Sequence, residues 1–255
     1  MGLLDVLAFL TRLPVGPRPM EGVGKSMQFF PVAGLLIALP LALAAYGLAL
    51  ASIGTLLTAA LLLALLYLLT GIHHFDGLVD FADAIAKKGS PEERRKVLRD
   101  PAVGAAGLLA GILTLLVLAA AAHRAAGFLN FGILLALFAS AEAGAKHAMV
   151  VAAAFGRPFG EGSGRAFLEE ATVARLLLSF TLTALLTFGL WGWTFGFTPS
   201  GGLLPAAALL GAGHLVPRLG VAAAHRTLGG VNGDVLGAIH EISRAILLAA
   251  AVVFL

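Results

Sequence analysis

Seven runs of apolar residues constrain this chain more than any other feature. Each is near the ~20 residues that a helix needs to cross the hydrocarbon of a bilayer. They cover residues 27–52, 55–71, 103–122, 131–155, 175–195, 203–219 and 235–255. In hydrocarbon a backbone must satisfy its own polar groups, which a helix does within one segment. The expected fold is all-α: one polytopic integral membrane helical bundle over residues 1–255, with about seven transmembrane helices. Composition agrees. Of the 255 residues 59% are hydrophobic and only 12% charged, against roughly 25% charged in soluble domains. The mean hydropathy is +0.96. Pro31 and Pro40 are expected to kink the first span, which a buried helix tolerates. Residues 1–12 read as a short amphipathic helix with no apolar core followed by a cleavage site, so no cleaved leader is expected.

The cations give the bundle a direction. Of the 17 lysines and arginines, only Lys146 and Arg244 fall inside spans, and only Arg124 falls in the segments that alternate to one side. The rest gather on the other side, which the positive-inside rule assigns to the cytoplasm. The N-terminus is therefore expected in the cytoplasm, the C-terminus outside, and the chain in the cell membrane. Every motif below then lies near the cytoplasmic face, where an active site is expected. The absence of cysteine excludes disulfides, thiolate catalysis and zinc–thiolate sites. No basic patch interleaved with aromatics accompanies the net charge of +3, so the expected environment is the lipid bilayer and not a nucleic acid.

The longest polar stretch, 73–100, holds Asp76-Gly77-x-x-Asp80-x-x-Asp83. On a helix, Asp80 lies about 40° from Asp76 and Asp83 about 20° to the other side, so all three carboxylates share one face. Like charges so close repel unless a cation binds among them, and a hard divalent cation with oxygen ligands answers best. Lys87 shares that face, placed to pair with Asp83 or to reach a phosphate. Ser90-Pro91-x-Glu93 reads as a capping box opening a charged helix. Its Arg94, Arg95 and Arg99 form either a basic strip facing lipid headgroups or an electropositive wall for a polyphosphate. Asp100 either caps the next span or supplies a fourth carboxylate.

Further along, Glu142 and Lys146 form an intramembrane i,i+4 pair, functional or structural. The glycine-rich loop 156–165 is a substrate lid or a linker. Near the end, Gly229-Gly230-Val231-Asn232-Gly233-Asp234 precedes Gly237 and Glu241. Asn232 or Asp234 suits an N-cap. Glu241, two turns deeper on the face of Asp234, is not needed for capping.

In order along the chain, these blocks resemble the cobalamin-5′-phosphate synthase family, the adenosylcobinamide-GDP ribazoletransferases. The resemblance runs through 9–15 (FLTRLPV), 26–34 (SMQFFPVAG), His74-x-Asp76-Gly77-x-x-Asp80-x-x-Asp83, Asp100 with Gly104, and 229–241. Ala84 stands where the family usually has glycine after the third aspartate. Ile72, Ala102, Ala105, Ala106 and Asn232 also depart from its usual pattern. The resemblance implies a Mg²⁺-dependent enzyme joining α-ribazole, or its 5′-phosphate, to adenosylcobinamide-GDP, with adenosylcobalamin or its phosphate and GMP as products. It implies Asp76, Asp80 and Asp83 as metal ligands, with one of them or Asp100 as base. His74, Lys87, Arg94, Arg95, Arg99, Gly104, Asn232, Asp234 and Glu241 are then expected to bind substrate.

Two other readings stay open. A CDP-alcohol phosphotransferase of lipid synthesis also uses spaced aspartates and Mg²⁺, but its signature has Ala-Arg where Val79-Asp80 stands. A membrane transporter would place its charges near the midplane, whereas most charges here cluster at one face.

Overall fold

The computed structural model describes residues 2–16, 18–160 and 163–255. Six helices are long and apolar enough to cross a membrane: Met27–Leu50, Ala105–Ala125, Phe131–Phe155, Val173–Phe195, Pro199–Leu228 and Gly233–Val253. Thr55–Thr70 and His73–Ala86, bent by 98° against each other, pass the same test only as a pair, so the spans number six, or seven if the pair is one span. The all-α polytopic bundle is therefore the observed architecture. Its helices in chain order are α1 (Leu3–Leu10), α2 (Met20–Lys25), α3 (Phe30–Leu50), α4 (Thr55–Thr70), α5 (His73–Ala86), α6 (Pro91–Val97), α7 (Ala105–Ala125), α8 (Phe131–Phe155), α9 (Ser163–Glu169), α10 (Val173–Phe195), α11 (Leu204–Leu228) and α12 (Gly233–Val253). The lid-or-linker loop 156–165 includes Glu161 and Gly162, which lie outside the described residues. The sixth span outruns its apolar stretch: α11 absorbs Pro217 and continues to Leu228, where Gly229 at φ 74° ends it. A C-terminal glycine in that conformation is the usual helix stop.

The bundle is built around α8, which α3, α10, α11 and α12 surround. Its middle, Ala139-Ser140-Ala141-Glu142-Ala143-Gly144-Ala145, is nearly all small residues. Small residues let membrane helices approach to backbone contact, where dispersion and close packing replace a hydrophobic driving force. A Cβ placed on Gly34 of α3 would stand 2.6 Å from the Ala143 backbone. The result is a central helix buried on all sides, while α10 keeps most of its surface outward. Outward leucines such as Leu56, Leu68 and Leu185 are exposed and face the apolar slab.

Small residues alone would leave the centre without register. A buried ionic cluster supplies it. Glu142 pairs with Lys146 on α8, as its spacing predicts. Arg244 of α12 approaches Glu142 at 2.7 Å and Glu241 at 2.6 Å. Tyr67 of α4 donates its hydroxyl to Glu241 at 3.0 Å. Two carboxylates and two cations balance, so no net charge is buried. The value of such a cluster lies in completeness, because removing one member strands a buried charge at a cost of about 3–5 kcal/mol. Arg244→Met is therefore expected to lower the midpoint of thermal unfolding in detergent. Adding Glu142→Gln to it should recover part of the loss. A double variant no more stable than Arg244→Met alone would refute the charge argument.

Candidate active site

The carboxylate helix is aimed by a glycine. Gly71, at φ 74°, ends α4 with its N–H on the Tyr67 carbonyl at 2.8 Å. The chain then turns through 98°, so α5 leaves the span direction and lies across the end of the bundle against α7 and α12. The crossing with α12 is a backbone contact at two more glycines. A Cβ on Gly77 would stand 2.8 Å from the Asp234 carbonyl oxygen, and one on Gly237 would stand 3.0 Å from that of His74. At that distance any side chain forces the helices apart. The crossing sets Asp76 and Asp80 beside the first turn of α12, which carries Asp234. There the Asn232 side chain caps α12 by accepting from the Val235 N–H at 3.1 Å. Its amide also donates to Asp234 Oδ2 at 2.8 Å.

The carboxylates work against one another. Partial burial, then repulsion from Asp76, Asp234 and Asp83, pushes the Asp80 carboxyl up to about 6. The acids come from two helices, and among the described residues none of the four forms an ion pair with a base, so they offer an oxygen-only donor set under electrostatic tension. It fits a hard divalent cation such as Mg²⁺. A different cluster, His74, His240 and Glu241, brings ligand atoms within 4.8 Å of one another. The Glu241 oxygens there are already engaged by Arg244 and Tyr67, and two imidazoles suit softer ions than Mg²⁺.

Asp83 has a second task. Its carboxylate accepts the N–H groups of Gly104 at 2.7 Å and Gly107 at 2.8 Å. It thereby caps α7 from another helix, where α7 has no cap of its own. A Cβ on either glycine would collide with that carboxylate. Gly104 thus serves Asp83 directly. Of the two expectations for Lys87, the pair with Asp83 does not form: among the described residues no ion pair joins them, and Lys87 lies exposed at the end of α5.

The basic helix divides its labour. Ser90 and Glu93 form the expected capping box. Arg94 turns back to the carbonyls of Ile85 at 2.6 Å and Gly89 at 3.3 Å, which pins the end of α5. Arg95 bonds the Leu228 carbonyl at 2.7 Å and lies over the Phe159 ring at 4.5 Å. With Arg99, Phe159, Asn232 and Asp234 it lines a polar cavity of ≈ 250 Å³. A short bridge joins Pro158 to Val231, so the loop and the α12 entry form one wall. A second cavity, ≈ 460 Å³, runs between α5 and α7 with Asp76 at its edge.

Three more of the expected site residues stand elsewhere. Asp100 is exposed and accepts from the Ala102 N–H in its own turn at 3.0 Å. His74 is buried with its ring 4.4 Å from that of His240, and its Nε2 has no partner among the described residues. Glu241 belongs to the buried ionic cluster. Sequence spacing did not reveal Arg244 as the partner of Glu142, because the two are joined across helices. Its one signal was that Arg244 is a lone cation inside the last span.

The two kinds of aspartate are distinguishable without turnover. Asp83→Ala removes a helix cap and should destabilise the metal-free protein by about 1–2 kcal/mol. Asp80→Asn relieves repulsion and should leave thermal unfolding in detergent unchanged or raised. Equal losses in both variants would refute the assignment.

A family model described as cobalamin-5-phosphate synthase matches residues 2–252. Relatives named adenosylcobinamide-GDP ribazoletransferase include one from Halorubrum lacusprofundi, 36% identical, covering 98% of this chain and 96% of the relative. Another, from Methanosarcina mazei, is 35% identical, with 92% and 86% covered. A third, from Thermococcus kodakarensis, is 34% identical, with 94% of each covered. No solved structure matches. On the match along nearly its whole length, the chain belongs to the cobalamin-5-phosphate synthase family.

Proposed function

We propose that this enzyme transfers the cobinamide phosphate of adenosylcobinamide-GDP to α-ribazole or its 5′-phosphate, releasing GMP, with Mg²⁺ required. The observation that carries the reading is the carboxylate cluster of Asp76, Asp80, Asp83 and Asp234 beside a cavity walled by Arg95 and Arg99. Phosphoryl transfer asks little covalent chemistry of a protein. It asks for positioning and for neutralisation of charge on the transferred group.

Each group then has a task. Asp76, Asp80 and Asp83 would hold Mg²⁺, and the ion would shield the diphosphate and the leaving GMP. Arg95, fixed by Leu228 and Phe159, and Arg99 hold the nucleotide diphosphate in the polar cavity. A ribose hydroxyl of the acceptor attacks the phosphorus that bears cobinamide. A product that keeps a 5′-phosphate requires a hydroxyl other than the 5′. The new O–P bond forms as the bond to GMP breaks, and a carboxylate of α5 takes the hydroxyl proton. Asp100, turned into its own loop, is a weaker choice for that base. Gly71, Gly77 and Gly237 keep α5 at its angle, and Arg94 keeps its end from fraying.

The same face is proposed to be cytoplasmic, with the N-terminus inside, because most lysines and arginines lie on it. With seven spans, a reporter fused after Leu255 should report from outside. Cytoplasmic reporter activity would instead make the α4–α5 pair a re-entrant element. The activity itself is tested with purified protein in detergent, adenosylcobinamide-GDP, α-ribazole and Mg²⁺. GMP and a cobalamin product should form together. Chelation of the metal, or Asp80→Asn, should reduce turnover at least a hundredfold while folding persists. GMP released without cobalamin, or near-normal turnover in Asp80→Asn, would overturn the proposal.

A further inference from the structure

Among the cavities that the proposed reaction leaves unused, one reaches an acid of the site. The ≈ 460 Å³ groove between α5 and α7 is lined by Phe75, Val79, Leu108, Gly111 and Ile112, and its one charged lining residue is Asp76. A purely lipid-facing groove has no use for a carboxylate, since a charge at an apolar surface is costly. Asp76 is also one of the acids that repel Asp80 and Asp234, so the groove ends at the reacting centre. On the α12 side of the same acids, the polar cavity carries two arginines, Asn232 and Asp234. The carboxylates therefore stand between a polar chamber and an apolar one.

Resting on the proposed transferase reading, we infer that the apolar groove holds the base of the acceptor nucleoside. The two substrates differ in the chemistry each chamber selects. The nucleotide end of the donor is anionic and matches Arg95 and Arg99. The acceptor carries a flat, uncharged, fused aromatic ring on a ribose, and only the ribose needs to meet the carboxylates. A ring laid along Phe75, Val79 and Ile112 places its sugar at Asp76. The groove is a built feature. Gly111 keeps α7 bare where the Phe75 ring lies, because a Cβ there would stand 2.9 Å from Phe75 Cζ. The groove opens at its mouth past exposed Val103 and Ile72.

The test blocks the groove without touching the acids. Ile112 and Leu109 are both exposed on α7, but only Ile112 lines the groove. Ile112→Trp should raise the KM for α-ribazole at least tenfold and weaken its binding in equilibrium dialysis against nanodisc-embedded protein by the same factor. Tenfold corresponds to losing about 60 Å² of apolar contact. The KM for adenosylcobinamide-GDP should stay within twofold, and Leu109→Trp should match the parent protein. Val103→Trp, at the exposed mouth, repeats the test if Ile112→Trp misfolds. Turnover with an unchanged α-ribazole KM in both blocked variants overturns this inference alone. So does a groove that retains co-purified lipid while α-ribazole binds normally. A parent protein that neither binds α-ribazole nor releases GMP overturns the transferase reading itself.

Discussion

The crossing of α5 over α12 is the contact on which the site depends. Neither helix has a site by itself. α5 carries acids on one face, and α12 begins with a capped turn and Asp234. They become one constellation because Gly77 and Gly237 let the two backbones touch. A helix pair separated by ordinary side chains sits 8–10 Å apart axis to axis, which would hold the acids of the two helices further apart. The glycines therefore have an electrostatic consequence. They hold like charges close enough to repel, and the rest of the protein must resist that repulsion.

The buried ionic cluster provides that resistance. It sits one to two turns below the crossing on α12 and ties α4, α8 and α12 through Tyr67, Glu142, Lys146, Glu241 and Arg244. α8 in turn is locked to α3 by the Gly34–Ala143 contact. The path from central helix to reacting face is thus a chain of close contacts with few flexible side chains. Charged groups in a membrane interior are commonly assigned to transport. Here they are mutually satisfied and carry no net charge, which suits an anchor better than an ion path. Glu241, on the face of Asp234 by spacing, is spent on that anchor.

Sequence periodicity placed the acids on one face, and local chemistry placed the caps. Ser90 with Glu93, Asn232, and the Glu142–Lys146 pair all involve residues within four positions, where helix geometry fixes the outcome. The untold parts are those that another helix decides. Asp83 has the same spacing as Asp76 and Asp80 but faces the unsatisfied N–H groups of α7. Arg94 and Arg95 are neighbours in one basic run, yet one turns back on α5 and the other reaches Leu228. Gly104 reads as a phosphate contact and is the space that Asp83 needs. Period shows which way a side chain points, and only packing shows what it meets there.

A phosphoryl transfer between water-soluble groups does not by itself call for a membrane. The geometry offers a physical reason for one. A polar chamber and an apolar groove meet at the same acids, so the two ends of the reaction face different solvents. On the proposed reading, the charged leaving group would be held on the arginine side, where water and counterions reach it. An uncharged ring on the other side gains by leaving water altogether. A soluble enzyme would have to fold an apolar pocket beside a cluster of repelling carboxylates, each weakening the other. At the edge of a bilayer the apolar side is supplied by α5, α7 and the lipid beyond them. The acids then have to be organised on one flank only, by two glycines and a capped helix end.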